Sequence, residues 1–164
     1  MREGPFMREP ERAASEDILS VENQVCFALA VAARNVVGLY RPFLEPMRLT
    51  HPQYLVMLAL WEQSPRSVRE IADTLSLEPA TLSPLLKRLE IIGYVRRERS
   101  ARDERMLDIT LTETGRSLRS TALTIPPRVV RSLDMSVPEL ESLREVLHRV
   151  IAASNSRPDS ALGS

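Results

Sequence analysis

The sequence predicts a mostly α-helical fold carrying one small β-hairpin, and three observations predict it. Apolar residues recur at spacings of three and four along most of the chain. The period changes to two only between Tyr94 and Leu111. Two short helical patterns meet across a three-residue connection just before that change, and a helix-turn-helix followed by a hairpin is a winged helix-turn-helix.

Residues 1–17 mix charge with Gly4, Pro5 and Pro10, show no periodicity and read as a disordered tail. From Ile18 to Leu44, Val25, Leu29, Ala32, Val36 and Leu39 mark one long helix of about seven turns. Its charges are few, essentially Glu22, Arg34 and Arg41, so it is apolar over more than the single stripe a surface helix needs. The span 18–48 is therefore expected to pack against more than its own domain.

Thr50 and Pro52 open a second helix through Trp61, and Ser64-Pro65 stops it. Two helices follow, Val68 to Leu75 and Pro79 to Ile92, joined by Ser76-Leu77-Glu78 and closed by Gly93. Tyr94 to Arg97 and Leu107, Ile109 and Leu111 form the hairpin, its tip near Ser100 to Glu104. Helix resumes at Thr112 and reaches about Leu133, interrupted by Pro126-Pro127. A capping box, Ser136-x-x-Glu139, then opens a last helix to about Ala153. On this reading 49–114 is the winged helix-turn-helix region, 115–155 holds the C-terminal helices, and 156–164 is a second disordered tail.

The chain has 164 residues, with 22 basic and 22 acidic side chains, so bulk charge gives no support for a polyanion partner. No apolar run is long enough to cross a bilayer and the start lacks a signal-peptide pattern, so a cytoplasmic protein with no membrane partner is expected. A single cysteine, Cys26, excludes an intrachain disulfide and a structural zinc site, and no metal or other cofactor is expected.

Local charge makes the nucleic-acid case. Helical periodicity buries Leu82, Leu85, Leu86 and Leu89, leaving Thr81, Ser83, Pro84, Lys87 and Arg88 toward solvent. Hydroxyl and cationic groups on the second helix of this motif reach base edges and phosphates in a major groove. From Lys87 to Arg105 there are seven basic residues against four acidic ones. Arg97, Arg99 and Arg105, the last beside Asp103, place cations on a hairpin suited to a neighbouring minor groove.

The segment Leu49 to Gly115 resembles the MarR family of bacterial regulators, through Asp103-Glu104-Arg105 followed by Leu111-Thr112-Glu113-x-Gly115. Glu22-Asn23-Gln24-Val25-Cys26-Phe27, Tyr40-Arg41-Pro42, Pro52-Gln53-Tyr54-Leu55 and Thr81 to Glu90 look like its organic hydroperoxide resistance branch. The resemblance implies a repressor that is a symmetric homodimer, joined through a dimerisation helix in 18–48 and C-terminal dimerisation helices in 115–155, with 49–114 binding double-stranded DNA at a near-palindromic operator. Two-fold symmetry would set the reading helices about 34 Å apart, on half-sites about 10 bp apart.

By itself a lone cysteine on an apolar helix is either a packed small hydrophobe or a solitary reactive thiol. The resemblance implies the second, with an organic hydroperoxide oxidising Cys26 to sulfenic acid beside tyrosines of the partner subunit. Tyr40 matches one such tyrosine. His51 stands where a second is expected, and Ala30 replaces an aromatic one turn beyond Cys26. Cys26 and Tyr40 lie 14 positions apart on one helix, so about 21 Å separates them and they cannot meet within a subunit. No C-terminal cysteine is available to resolve the sulfenate, so a low-molecular-weight thiol must cap it.

Three competing readings remain at this point: a regulator released by a small aromatic ligand with Cys26 structural, a winged helix used only for protein contacts, and a thiol peroxidase. The last needs a recycling thiol and a thioredoxin-like sheet, and neither is visible in the pattern; a non-enzymatic regulator is expected.

Overall fold

The computed structural model describes residues 20–100 and 106–155. The expected tails, 1–17 and 156–164, and the hairpin tip with Asp103 and Arg105 lie outside the described residues. The chain divides into two compact units, one up to Ile125 and one from Pro126.

Helix α1 spans Val25–Leu44. The expected start at Ile18 is too early: Val21–Asn23 forms a single 3-10 turn, and Gln24, extended at φ −83° and ψ 117°, separates it from α1. The Gln24 N–H closes on the Val21 carbonyl, and only the Gln24 carbonyl enters α1, accepting from the Ala28 N–H at 3.1 Å. Within α1 only Leu44 is buried. Val25, at 69% exposure, and Phe27, at 43%, leave apolar surface uncovered by the chain itself.

Helix α2, His51–Glu62, begins where expected, with the Gln53 side chain accepting from the Thr50 N–H at 2.9 Å. It carries much of the core, with Tyr54, Val56, Met57, Ala59 and Leu60 all buried. Next come β1 (Arg66–Ser67), α3 (Val68–Leu75) and α4 (Pro79–Ile92). Ser67 and Glu70 cap α3 reciprocally: Ser67 Oγ accepts from the Glu70 N–H, and Glu70 Oε2 accepts from the Ser67 N–H at 2.7 Å. Pro79 opens α4, where a missing N–H costs nothing, and Gly93 ends it at φ 87°, a left-handed conformation that favours glycine.

Strands β2 (Val95–Arg99) and β3 (Leu107–Leu111) form the hairpin, in register from Val95 opposite Leu111 to Arg99 opposite Leu107. β1 adds a third antiparallel strand beside β3, giving the order β1-β3-β2. A two-residue strand is too short to show alternation, so sequence pattern missed it. Ile71, Leu82, Leu86, Leu89, Val95 and Ile109 are fully buried and knit the three-helix core to the sheet.

Helices α5 (Glu113–Ala122), α6 (Ile125–Ser132) and α7 (Val137–Asn155) are the last elements among the described residues. The expected interruption is present, but at Leu123-Thr124 rather than at the two prolines. Pro126 and Pro127 lie in the first turn of α6, where N–H groups have no helical partner to lose. At the start of α7 the Ser136 N–H donates to Glu139 Oε2 at 2.8 Å, as the capping box requires. No residue of α7 is buried, and Leu143, Val146, Val150 and Ile151 are exposed.

Candidate redox site and DNA-reading surface

Helix α4 is anchored by Leu82, Leu86 and Leu89, each almost fully buried. Leu85, expected in the core, is only half-buried because it flanks that stripe. Thr81, Ser83, Pro84, Lys87 and Arg88 are all exposed on the other side, a continuous hydroxyl and cationic face. Cations of this kind pair with phosphates or with guanine edges.

The hairpin arginines are not equivalent. Arg97 Nε lies 3.2 Å from Glu90 Oε2, at ion-pair distance but without hydrogen-bond alignment, and its side chain is 29% exposed. Its charge is thus partly spent on the last turn of α4. Arg96 pairs with Glu98 along the strand at 2.7 Å, while Arg99 is exposed at the outer end of β2.

The wing is stitched to the reading helix at its root. Thr112, just after β3, donates its N–H to the Tyr94 carbonyl at 3.1 Å and its hydroxyl to the Gly93 carbonyl at 2.6 Å. The Tyr94 hydroxyl donates to the Met47 carbonyl at 2.9 Å, pinning the same root to the segment before α2.

Cys26 is a free, exposed cysteine in the first turn of α1. Tyr40 and His51 meet in one chain, their ring centroids 5.1 Å apart in an edge-to-face arrangement. Sequence reasoning missed two further members of this cluster. Tyr54 lies 5.8 Å from Tyr40, and Trp61 lies 6.2 Å from Tyr54. Their spacing from His51, three and ten positions along α2, keeps all three on one helical face and was the available signal.

Partial burial sets the protonation of this cluster. It pushes the His51 pKa below its ordinary value and the Tyr40 pKa above its own. Burial, with Tyr40 nearby as a lesser cause, does the same to Tyr54. At neutral pH the cluster therefore offers two phenolic O–H donors and a neutral imidazole with one N–H donor, and no cation. No grouping of three or more metal-ligating side chains occurs among the described residues. No helix among them is long and apolar enough to cross a membrane.

An exposed hydroxyl and cationic helix, held in a helix-turn-helix and followed by a β-wing, defines a winged helix-turn-helix DNA-binding protein. The family model described as transcriptional regulator SarA/Rot matches residues 38–121. The organic hydroperoxide resistance transcriptional regulator of Bacillus subtilis (strain 168) is 37% identical over 135 residues, covering 82% of this chain and 92% of that protein. The HTH-type transcriptional regulator TtmR of Methylorubrum extorquens (strain PA1) is 43% identical over 140 residues, covering 81% and 72%. The structure of AbfR of Staphylococcus epidermidis superposes with a TM-score of 0.70 at 32% identity, covering 87% of this chain and 99% of that one. AbfR has also been solved reduced and bound to DNA, with TM-score 0.69, 32% identity and the same coverage. Its overoxidised form bound to DNA gives 0.65 and 33% over 83% of this chain and 98% of that one.

The chain belongs to the MarR family of winged-helix transcription regulators, in its SarA/Rot and organic hydroperoxide resistance branch. It is a DNA-binding regulator of transcription and not an enzyme.

Proposed function

We propose that this chain is a homodimeric repressor that holds a near-palindromic operator until an organic hydroperoxide oxidises Cys26. The observation that carries the proposal is the placement of an exposed thiol and the Tyr40–His51–Tyr54 cluster near opposite ends of one apolar helix. One chain cannot close that gap of about 21 Å, whereas a two-fold partner running antiparallel along α1 can. The uncovered apolar residues of α1 and of α7 supply surface for such a dimer, leaving 49–114 to read DNA. Thr81, Ser83, Pro84, Lys87 and Arg88 enter the major groove, and Arg99, Arg105 and, more weakly, Arg97 serve the wing.

In the switch, the Cys26 thiolate attacks the distal peroxide oxygen, the O–O bond breaks, and the alkoxide leaves and takes a proton as the alcohol. The resulting sulfenic acid condenses with a low-molecular-weight thiol, forming a mixed disulfide and releasing water. The hydroxyl of Tyr40 and the N–H of His51, both from the partner, stabilise the thiolate as donors. The disulfide adduct then wedges the dimer helices and spoils the reading-helix spacing. Leaving a polar group unsatisfied in a packed interface costs about 1–3 kcal/mol, and coupling of that size changes affinity about 5- to 150-fold. AbfR has been solved overoxidised and still on DNA, which favours adduct volume over oxidation alone as the releasing event in this chain. The regulator acts in the cytoplasm, where such thiols are abundant.

The test is Cys26→Ser, challenged on DNA with cumene hydroperoxide plus glutathione. The variant is expected to bind as the parent does and to stay bound. Undiminished release from the variant removes Cys26 from the mechanism.

One observation favours a second reading, release by a small aromatic ligand. A cavity of about 390 Å³ is lined by Arg34, Val37, Arg41, Thr50 and His51 among others, a size and polarity suited to such a molecule. Release by a ligand without oxidant, unaffected by Cys26→Ser, would select this reading.

A further inference from the structure

His51, Tyr54 and Trp61 form a stripe along one face of α2, about 15 Å from first to last. At one end the stripe is held by Tyr40 of α1, whose ring touches both His51 and Tyr54. At the other end Trp61 Nε1–H donates to the Gly115 carbonyl at 2.8 Å, across 54 positions of sequence.

Gly115 sits where the wing and the reading helix are joined. A Cβ on it would lie 2.1 Å from the Tyr94 carbonyl oxygen, so the first turn of α5 rests directly on the backbone that connects α4 to β2. Thr112, three residues earlier, bonds to the carbonyls of both Gly93 and Tyr94. The end of α4, the start of β2 and the end of β3 therefore converge on the turn that Trp61 grips.

We propose that Trp61 is a positioning residue that carries the state of the Cys26 pocket to the wing, with α2 as the rod between Tyr40 and Gly115. The proposal rests on the redox reading above. When an adduct on Cys26 displaces the partner's Tyr40, the ring contacts move α2, and the Trp61 hydrogen bond draws the Thr112–Gly115 turn with it. Close-packed interiors transmit such displacements instead of absorbing them. Measured energetic coupling, beyond lying between two sites, is what establishes such a route.

The test compares the full-length parent with Trp61→Phe, which keeps a ring and removes the N–H donor. The probe is a duplex selected from a random pool by the reduced parent, with affinity read before and after cumene hydroperoxide and glutathione. Intact mass measures Cys26 modification in each sample. The parent is expected to lose affinity about 5- to 150-fold on modification. Trp61→Phe is expected to bind within about twofold of the parent when reduced, to be modified equally, and to lose affinity less than about twofold. Release of the variant by the parent's factor overturns the role of Trp61 and leaves the redox reading intact. A modified parent that stays bound overturns both. Because Trp61 is the only tryptophan, its emission gives a second measurement in the unmutated protein. Emission is expected to change as the adduct forms, and emission unchanged at full modification overturns the proposal even if Trp61→Phe fails to fold.

Discussion

Gly115→Ala should destabilise the protein although it replaces a helical glycine with the best helix former. The added Cβ would lie 2.1 Å from the Tyr94 carbonyl oxygen, well inside the 3.0 Å below which real Cβ contacts essentially never fall, and 3.0 Å from its carbon. The obstacle is backbone, so no rotamer change relieves it, and α5 must lift by roughly 1 Å. That movement strains three hydrogen bonds: Thr112 N–H to Tyr94, Thr112 Oγ1–H to Gly93, and Trp61 Nε1–H to Gly115. At about 0.5–1.5 kcal/mol each the loss is about 1.5–4.5 kcal/mol. Alanine's helix preference offsets about 1 kcal/mol of it. A net loss of about 0.5–3.5 kcal/mol lowers Tm by about 1–14 °C for a chain of this size. Thermal unfolding followed by circular dichroism reads the shift, and an unchanged or raised Tm would refute the close seat of α5 on the wing root.

Two further outcomes follow from the reading surface and the aromatic cluster. Lys87→Ala should weaken binding to all duplexes about equally and lower the salt slope by about 1, whereas Arg88→Ala, if it reads a base, should cost about 1–3 kcal/mol and relax specificity; salt titrations by anisotropy separate the two. Because the folded-state pKa of His51 lies below its unfolded value, stability from the neutral imidazole is fully present above about pH 6.5 and is lost as pH falls through the folded pKa. Urea titrations between about pH 5 and 8 should show that loss in the parent and not in His51→Phe; identical profiles would place His51 outside the buried cluster.

The fold was largely legible because punctuation and period agree. Pro79 and Gly93 bound the reading helix in the sequence and in the structure, and the alternation of Leu107, Ile109 and Leu111 marks β3. Two residues at Arg66–Ser67 could carry no alternation, so β1 escaped. The break at Gln24 escaped as well, since no proline or glycine announces it and the apolar residues before it continue the helical pattern. The prolines at 126 and 127 marked an interruption but not its place, because the first turn of a helix accepts them.

The site was legible in its parts. The exposed face of α4 follows from helical geometry alone, and the family resemblance singled out Cys26, Tyr40 and His51. The cluster uniting Tyr40 with His51, Tyr54 and Trp61 needs α1 docked against α2, a tertiary fact that spacing within either helix does not supply. The pairing of Arg97 with Glu90 is of the same kind, because it depends on where β2 returns past α4.

A crystal structure of the reduced dimer would test the thiol switch most directly, through the distance from Cys26 Sγ to the Tyr40 hydroxyl and His51 ring of the partner subunit. The account predicts separations of about 3–4 Å to at least one of these donors. A Cys26 sulfur enclosed by aliphatic side chains alone, with both donors turned elsewhere, would contradict it.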